Sequence, residues 1–238
     1  TVDSRNRITN LSHKYSNGTM FLGLSYLYDA AGNRTREKES NQTYRDFFYD
    51  DNGQLTRETK RTIVGDEDPY GQPNDDTVVY DYSYTFDAVG NRLTYKDEVT
   101  QTTTEYTYNN MNQMLTAGNI SFGYDDNGNM VTKTVNNQTT TQTWDCFGKL
   151  LKLTNPDDSV VKFVYDGVGH RVKRWRSNGN ETRYFVNDKS GDLVQLLAEL
   201  DGSSSLVARY VLGNTLLTMD RSSTTYTYHF DALGSCRS

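Results

Sequence analysis

A seven-residue frame organises the sequence, and two of its fullest copies are Tyr28-Asp29-Ala30-Ala31-Gly32-Asn33-Arg34 and Phe86-Asp87-Ala88-Val89-Gly90-Asn91-Arg92. The frame has an aromatic residue, Asp or Asn, two variable residues, Gly, a polar residue, and then Arg or an aliphatic residue. Its aromatic positions are Tyr28, Tyr49, Phe86, Tyr108, Tyr124, Trp144, Tyr165 and Phe230. Its acid and glycine positions are Asp29 and Gly32, Asp50 and Gly53, Asp87 and Gly90, Asp125 and Gly128, Asp145 and Gly148, Asp166 and Gly169, and Asp231 and Gly234. Copies beginning at Asp3 and Asn109 carry Asn in the glycine place, and Asn is the next-best residue for a positive φ.

The frames recur at a step of about 21 residues, which is typical of a repeat protein. A wider gap before Asp87 contains residues 64–77, which hold two of the three prolines and predict an exposed inserted loop. A still wider gap before Asp231 contains degenerate turns at Asp188 and Asp201. We therefore expect residues 1–238 to form one array of about eleven units, as a fragment of a longer chain.

Each frame predicts a hairpin corner. A carboxylate at the first turn position accepts from the backbone N–H two residues on, and Gly three residues on supplies the left-handed residue after a type I turn. The result is a hairpin with a bulge. Runs before the corners alternate with period two, so that Tyr80, Tyr82 and Tyr84 share one face. The predicted fold class is all-β, a repetitive array of antiparallel β-hairpins.

Residues 192–200 leave two interpretations open. Leu193, Leu196, Leu197 and Leu200 fit the spacing of a helix. The same stretch followed by residues 201–213 also makes a hairpin of the right repeat length. We favour the hairpin, because it continues the array.

The composition narrows the possible partners. Leu, Ile, Val and Phe make up about a fifth of the chain, whereas Tyr occurs 18 times, so the aromatics must supply much of the core. The formal net charge of -6 argues against a nucleic-acid partner. The densest basic run, residues 170–176, distributes its charges over both faces of a strand, which favours a solvated strand over a phosphate-binding patch. No stretch approaches the length of an apolar membrane span.

Candidate catalytic and metal-binding motifs are weak. His13, His170 and His229 are far apart in the sequence, and no nucleophile elbow, zinc-spaced His/Cys set or phosphate-binding loop occurs. Residues 50–53 partly match a calcium loop but lack its terminal Glu. The two cysteines, Cys146 and Cys236, are interpreted as incidental thiols. We expect no catalytic residues, no metal site, no cofactor and no enzyme activity in this chain.

The frames at 28–34 and 86–92 resemble the tyrosine-aspartate (YD) repeat of the Rhs family, which is shared with teneurins and with cocoon components of insecticidal toxin complexes. The resemblance extends over essentially the whole sequence, and residues 228–237 resemble the stretch that opens the Rhs-associated core. It implies a spiral strip of hairpins that forms a hollow shell, which either encloses a variable C-terminal toxin or serves as an empty adhesion body. The family's self-cleavage motif is expected beyond Ser238.

Two functional hypotheses follow from the repeat and the resemblance. The favoured one is a structural scaffold, a wall segment that associates with the rest of its shell or with further copies and that encloses a toxin domain. The alternative is an extracellular adhesion module that binds a glycan or receptor through strand aromatics, including Trp144 and Trp175. The expected location is secreted or at the cell surface, in a bacterium.

Overall fold

The computed structural model describes residues 1–64, 77–191, 193–213, 216–232 and 234–237. In this part of the chain the only helical element is a short 3-10 turn at Asn178–Asn180, and all other regular structure is β. The prediction of an all-β array of antiparallel hairpins is therefore confirmed. The loop expected near 64–77 lies, apart from its end residues, outside the described residues.

The strands are short and follow one another closely along the chain. They are β1 Asn10–Lys14, β2 Met20–Tyr28, β3 Arg34–Glu39, β4 Thr43–Tyr49, β5 Leu55–Thr62, β6 Thr77–Phe86, β7 Arg92–Asp97, β8 Thr102–Tyr108, β9 Met114–Ala117, β10 Ile120–Tyr124, β11 Met130–Val135, β12 Gln138–Trp144, β13 Leu150–Thr154, β14 Val160–Tyr165, β15 Arg171–Arg176, β16 Glu181–Asp188, β17 Gln195–Asp201, β18 Leu206–Leu212, β19 Leu216–Arg221, β20 Thr224–Thr227, β21 His229–Phe230 and β22 Cys236–Arg237.

The chain divides into two compact units. The first is Thr1–Asn112 with Phe230–Ser235, and the second is Gln113–His229 with Cys236–Ser238. In the first unit β1 to β8 pair in chain order, each antiparallel to the next. In the second unit β9 to β20 do the same. Each unit is thus a meander of hairpins.

The predicted hairpin near residue 200 is present. Gln195–Asp201 is a strand, which pairs with β16 on one side and with β18 on the other, so the helical interpretation of this stretch does not hold. Backbone partners on both sides outweigh the weak helical spacing of the leucines. The first residue of the stretch, Asp192, lies outside the described residues.

Turns lie at both ends of the strands, and only one end carries the frame. The Asp201–Ser205 turn closes β17 to β18 at the end opposite to the frame corners, because the single strand β17 separates it from the frame position Asp188. The predicted turn at Asp201 is thus present and has the hydrogen bonds of a frame corner, but it lies at the opposite end of the strands. A corner at Asn155–Ser159, which the sequence frame did not identify, lies at that same opposite end.

The interior of this structure is thin. Among the described residues the buried hydrophobic side chains are Leu24, Tyr26, Tyr44 and Ala208. Polar side chains are buried as well, and Glu37 is completely inaccessible to solvent. Most strand residues are half-buried, so both faces of each unit depend on large amphipathic side chains such as Tyr.

Candidate functional site

The corners share one hydrogen-bonding pattern, which the Asp125 corner illustrates. Its Oδ1 accepts from the backbone N–H groups of Asn127 at 3.1 Å and Asn129 at 2.8 Å, and its Oδ2 accepts from the Asn129 side-chain amide at 3.0 Å. The Asp125 N–H donates to the Asn129 carbonyl, and the Gly128 N–H donates to the Asp125 carbonyl. Gly128 has a φ of 84°, the left-handed conformation that Gly adopts without steric cost.

The other predicted corner residues are found in the same geometry. In each, the Asp backbone N–H donates to the carbonyl four residues on and the Gly N–H donates to the Asp carbonyl, at Asp29, Asp50, Asp87, Asp145, Asp166 and Asp231. The Asp carboxylate accepts from the backbone N–H four residues on in every one of these corners. The glycines with positive φ include Gly32, Gly53, Gly90, Gly148, Gly169 and Gly234. A corner is thus held by its own backbone and one carboxylate.

These hydrogen bonds stabilise the ionised carboxylates. The side-chain amides of Asn91 and Asn129 hold the pKa of Asp87 and of Asp125 below its ordinary value. The Lys189 ammonium group, which contacts the Asp166 carboxylate, is the largest cause of a strongly lowered pKa of Asp166. The carboxylates of Asp87, Asp125 and Asp166 therefore remain charged near neutral pH and act as acceptors only.

The frame aromatics connect each repeat to the preceding one. The hydroxyl of Tyr124 donates to the Met114 carbonyl at 2.8 Å, and Met114 lies five residues after the preceding corner's Asn109. The same donation to the carbonyl five residues after the preceding corner residue is made by Tyr28, Tyr49, Tyr108, Trp144 and Tyr165. We call these hydrogen bonds the aromatic latches.

Three frame positions, Asn187, Phe86 and Phe230, depart from this rule. Asn187 stands where the frame has an aromatic, yet its side-chain amide donates to the Arg171 carbonyl at 3.1 Å, five residues after Asp166. Phe86 has no donor and cannot form a latch. A latch therefore requires a side-chain donor at this position, which Asn187 supplies without a ring and a Phe ring does not supply.

The C-terminal frame lies in the first unit. The Phe230 carbonyl is 3.0 Å from Nε2 of His13, and the Ala232 N–H donates to the Tyr26 hydroxyl at 3.3 Å. The side chain of Asp231 is buried there. This frame thus packs against residues more than 200 positions earlier in the sequence.

Arginines at the end of the frame lie between aromatic rings. Arg92 has its guanidinium 5.8 Å from the Tyr84 ring centre and 4.6 Å from that of Tyr106. Both rings lie three residues before the Asp or Asn of a corner, one in the same hairpin and one in the next. Equivalent pairs of contacts are made by Arg34 with Tyr26 and Phe47 and by Arg171 with Phe163 and Phe185. Cation–π contacts thus also tie neighbouring repeats together.

Sequence reasoning missed the latches and the arginine contacts. Their signals are present in the frame, as a preference for Tyr over Phe at its first position and an Arg two residues after Gly. The partners could not be found without the strand register, because they belong to the neighbouring repeat.

No group of three or more His, Cys, Asp or Glu side chains within the described ranges is arranged to hold a metal ion. Cys146 and Cys236 are both free and exposed. Across the same described residues, no helix has the length and apolar character needed to cross a membrane.

Solved toxin-complex structures are similar to this chain. A crystal structure of TcdB2-TccC3-Cdc42 superimposes with a TM-score of 0.49 at 15% sequence identity, and it covers 99% of this chain and 16% of that chain. The structure of the Photorhabdus luminescens Tc holotoxin pore superimposes with a TM-score of 0.40 at 15% identity, over 89% of this chain and 17% of that chain.

Curated relatives come from Bacillus. The tRNA3(Ser)-specific nuclease WapA of Bacillus spizizenii is 32% identical over 167 residues, which are 67% of this chain and 7% of that protein. The tRNA nuclease WapA of Bacillus subtilis is 31% identical over the same share of each chain. The chain thus spans less than a tenth of the length of these relatives. The expectation that this chain is not an enzyme is contradicted, since its curated relatives are enzymes by name.

A family model covers most of the sequence. The model described as Teneurin YD-shell matches residues 70–238, which include the frames from Phe86 to Phe230. The matched region contains the corners from Asp87 onward, the latches of the second unit and the arginine contacts of Arg92 and Arg171. The chain therefore belongs to the teneurin YD-shell family.

Proposed function

We propose that this chain is a wall segment of a hollow shell, and that the shell is the scaffold of a larger protein. The aromatic latches carry this proposal, because each joins one repeat to the repeat before it through a backbone carbonyl. Stability then comes from nearest-neighbour contacts, as in other repeat arrays, and such an array extends by adding repeats. Within this proposal residues 1–238 form one array of about eleven units, and the Asp and Gly of each corner define the repeat.

The larger protein is proposed to be a secreted bacterial toxin whose shell encloses its toxic part. The enzyme names of the Bacillus relatives support tRNA as the first substrate to test. The full-length gene product should cleave tRNA, and a parallel assay of residues 1–238 assigns the activity to this chain or to the remainder. Intact tRNA after prolonged incubation with the full-length product would contradict the nuclease proposal and leave the wall proposal standing.

Adhesion through strand aromatics receives less support. Trp144 donates its indole N–H to the Met130 carbonyl, and the Trp175 indole donates to the Asn180 side chain, so both polar groups are already engaged. Glycan binding that is lost in Trp175→Ala while the fold is retained would favour adhesion over the scaffold.

The association of the chain tests the wall proposal. Within their own units the end strands β1 and β20 each pair with a single neighbour, and all four residues of β20 are exposed. Exposed strand edges pair with other chains. Sedimentation of the purified chain should give a mass above 27.2 kDa that rises with concentration. The variant Tyr226→Lys, which places a charge on β20, should show a smaller increase of mass with concentration. A constant monomer mass at the highest concentration would contradict the proposal.

A further inference from the structure

Four arginines converge on one face of the second unit. Arg174 and Arg176 lie on β15, Arg183 lies on β16 and Arg221 lies on β19. Arg174 and Arg176 belong to the basic run that the sequence analysis interpreted as a solvated strand. The fold places two more guanidinium groups, one from the adjacent β16 and one from β19, on the face of the sheet on which Arg174 and Arg176 lie. We call these four residues the arginine cluster.

Two carboxylates form ion pairs with the four guanidinium groups. Glu181 lies 3.6 Å from Arg174, 3.5 Å from Arg176 and 3.0 Å from Arg183. Glu199 lies 3.9 Å from Arg183 and 3.6 Å from Arg221, and it also accepts a hydrogen bond from the Tyr210 hydroxyl at 2.8 Å. Most of these ion pairs are longer than a hydrogen bond. Asp201 is directly opposite Arg183 on the adjacent strand, so four positive charges face three negative ones and about one positive charge is uncompensated.

The first unit has an opposite-charge pair at the corresponding position. Glu37 and Arg174 both lie eight residues after a corner Asp, and Arg45 and Arg183 both lie five residues before the next one. Glu37 is directly opposite Arg45 on the neighbouring strand, whereas Arg174 is directly opposite Arg183. The completely buried Glu37 accepts from Arg34 at 2.7 Å and also contacts Arg45.

Like charges directly opposite each other destabilise a sheet. Arg174 and Arg183 break this rule at the position where Glu37 and Arg45 obey it, although Arg45 is in turn opposite Lys60 on its other neighbouring strand. Departures of this kind in an otherwise consistent sequence tend to mark functional sites.

The arginine cluster has unused hydrogen-bonding capacity. Nε of Arg174 is buried and has no hydrogen-bond partner among the described residues. Burial, and next the charge of Arg176, lower the pKa of Arg174 below its ordinary value. Of the four cluster arginines, Arg176 also lines a cavity of about 350 Å³, together with Glu181, Asn155 and Ser159. The site thus combines guanidinium donors, excess positive charge and space for a small ligand.

We propose that the arginine cluster binds a phosphate-type oxyanion. A phosphate-type oxyanion compensates the excess positive charge, and its oxygens suit the planar fork of donors that guanidinium groups present. A bound oxyanion would also relieve the repulsion between Arg174 and Arg183. This inference stands independently of the shell proposal, because it concerns residues on one face of a single unit.

Calorimetric titration of the whole chain with inorganic phosphate, at constant ionic strength, tests the proposal. Arg174→Glu recreates at this position the opposite-charge pair that Glu37 and Arg45 make. It should fold with an unfolding temperature in phosphate-free buffer no lower than that of the wild type, while weakening phosphate binding by about tenfold or more. Arg176→Gln, a milder change at a half-exposed side chain, should weaken binding in the same direction.

Arg209→Gln is the matched control. It removes an exposed guanidinium that pairs with Asp220 at 2.6 Å outside the cluster, and it should bind phosphate as the wild type does. Saturable binding that is lost only in the cluster variants supports the site. An absence of saturable binding in the wild type, or equal weakening in Arg209→Gln and the cluster variants, would overturn it.

Discussion

At the residue scale, the frame positions differ in whether their contacts lie within their own corner or in another repeat. Asp and Gly act within one corner, so turn chemistry alone predicts which N–H groups the Asp carboxylate binds and which residue takes a positive φ. The aromatic contacts the preceding repeat and the Arg contacts the next one, so their partners depend on strand register. Sequence reasoning therefore reached the corners and missed the latches, although Asp29 and Tyr28 are adjacent in the chain.

Gly169 and Gly167 lie in a single corner, and they differ in whether the backbone conformation and the surrounding space require glycine. Gly169 has a φ of 91°, and an added Cβ would lie 2.9 Å from Cε of Lys149. Gly167 has no positive φ and no atom within 4 Å of an added Cβ. Gly169→Ala should lower the free energy of unfolding by about 1–2 kcal/mol, whereas Gly167→Ala should change it little or raise it slightly. Urea unfolding measures both, and equal effects would contradict the assigned corner geometry.

The corner carboxylates predict acid sensitivity. The pKa of Asp87 and of Asp125 is lowered in the folded state, chiefly by the side-chain amides of Asn91 and Asn129. A lowered folded-state pKa stabilises the fold above the unfolded value of about 4, and this stability is lost as the pH falls through the folded-state pKa. The thermal unfolding temperature should therefore decrease as the pH is lowered below about 4. In an Asp87→Asn, Asp125→Asn double variant this decrease with pH should be less steep. An identical pH profile for both proteins would contradict this.

At the element scale, the strands follow from composition and alternation, but their ends do not all follow from one motif. The frame predicts the corners at one end of the strands. At the other end the connections use different sequences, such as Asn155–Ser159 and Asp201–Ser205, with a left-handed Asp158 and Ser204 in place of Gly. These turns lack the frame's aromatic because no latch forms at that end among the described repeats. A search for the frame alone therefore finds only half of the hairpin connections.

Removing one latch should lower the free energy of unfolding by the contribution of one hydrogen bond. Tyr124→Phe leaves the ring in place and deletes the 2.8 Å donation to the Met114 carbonyl, so the free energy of unfolding should fall by about 1 kcal/mol. Tyr226→Phe, at a half-exposed residue of β20, should be neutral within about 0.5 kcal/mol. Denaturant unfolding compares the two, and a neutral Tyr124→Phe would contradict the latch.

The reverse change adds a latch. Phe86 stands in the latch position, and the carbonyl it would reach by the frame rule is that of Leu55, five residues after Asp50. Phe86→Tyr should therefore raise the free energy of unfolding by about 0.5–1 kcal/mol. Destabilisation by this variant would show that the frame rule does not extend to this repeat.

At the scale of the whole molecule, the low aliphatic content has a structural meaning. About a fifth of the residues are Leu, Ile, Val or Phe, which is little for a thick core, and few side chains among the described residues are fully buried. A thin layer of hairpins needs fewer aliphatic residues than a thick core does, because tyrosines and stacked arginines cover both faces of each hairpin. The corners use Asp, Asn and Gly. The fold class was predictable from this composition and the repeat. The arginine cluster was not, because residues from three strands meet there only after the register is fixed.

Electron cryomicroscopy of the full-length gene product tests the central claim most directly. The wall proposal predicts a hollow shell in which residues 1–238 form consecutive hairpins of the wall, with the latch from Tyr124 to the Met114 carbonyl resolved between neighbouring repeats. A map in which these residues form a separate solid domain, with no enclosed space beside their sheet, would contradict it.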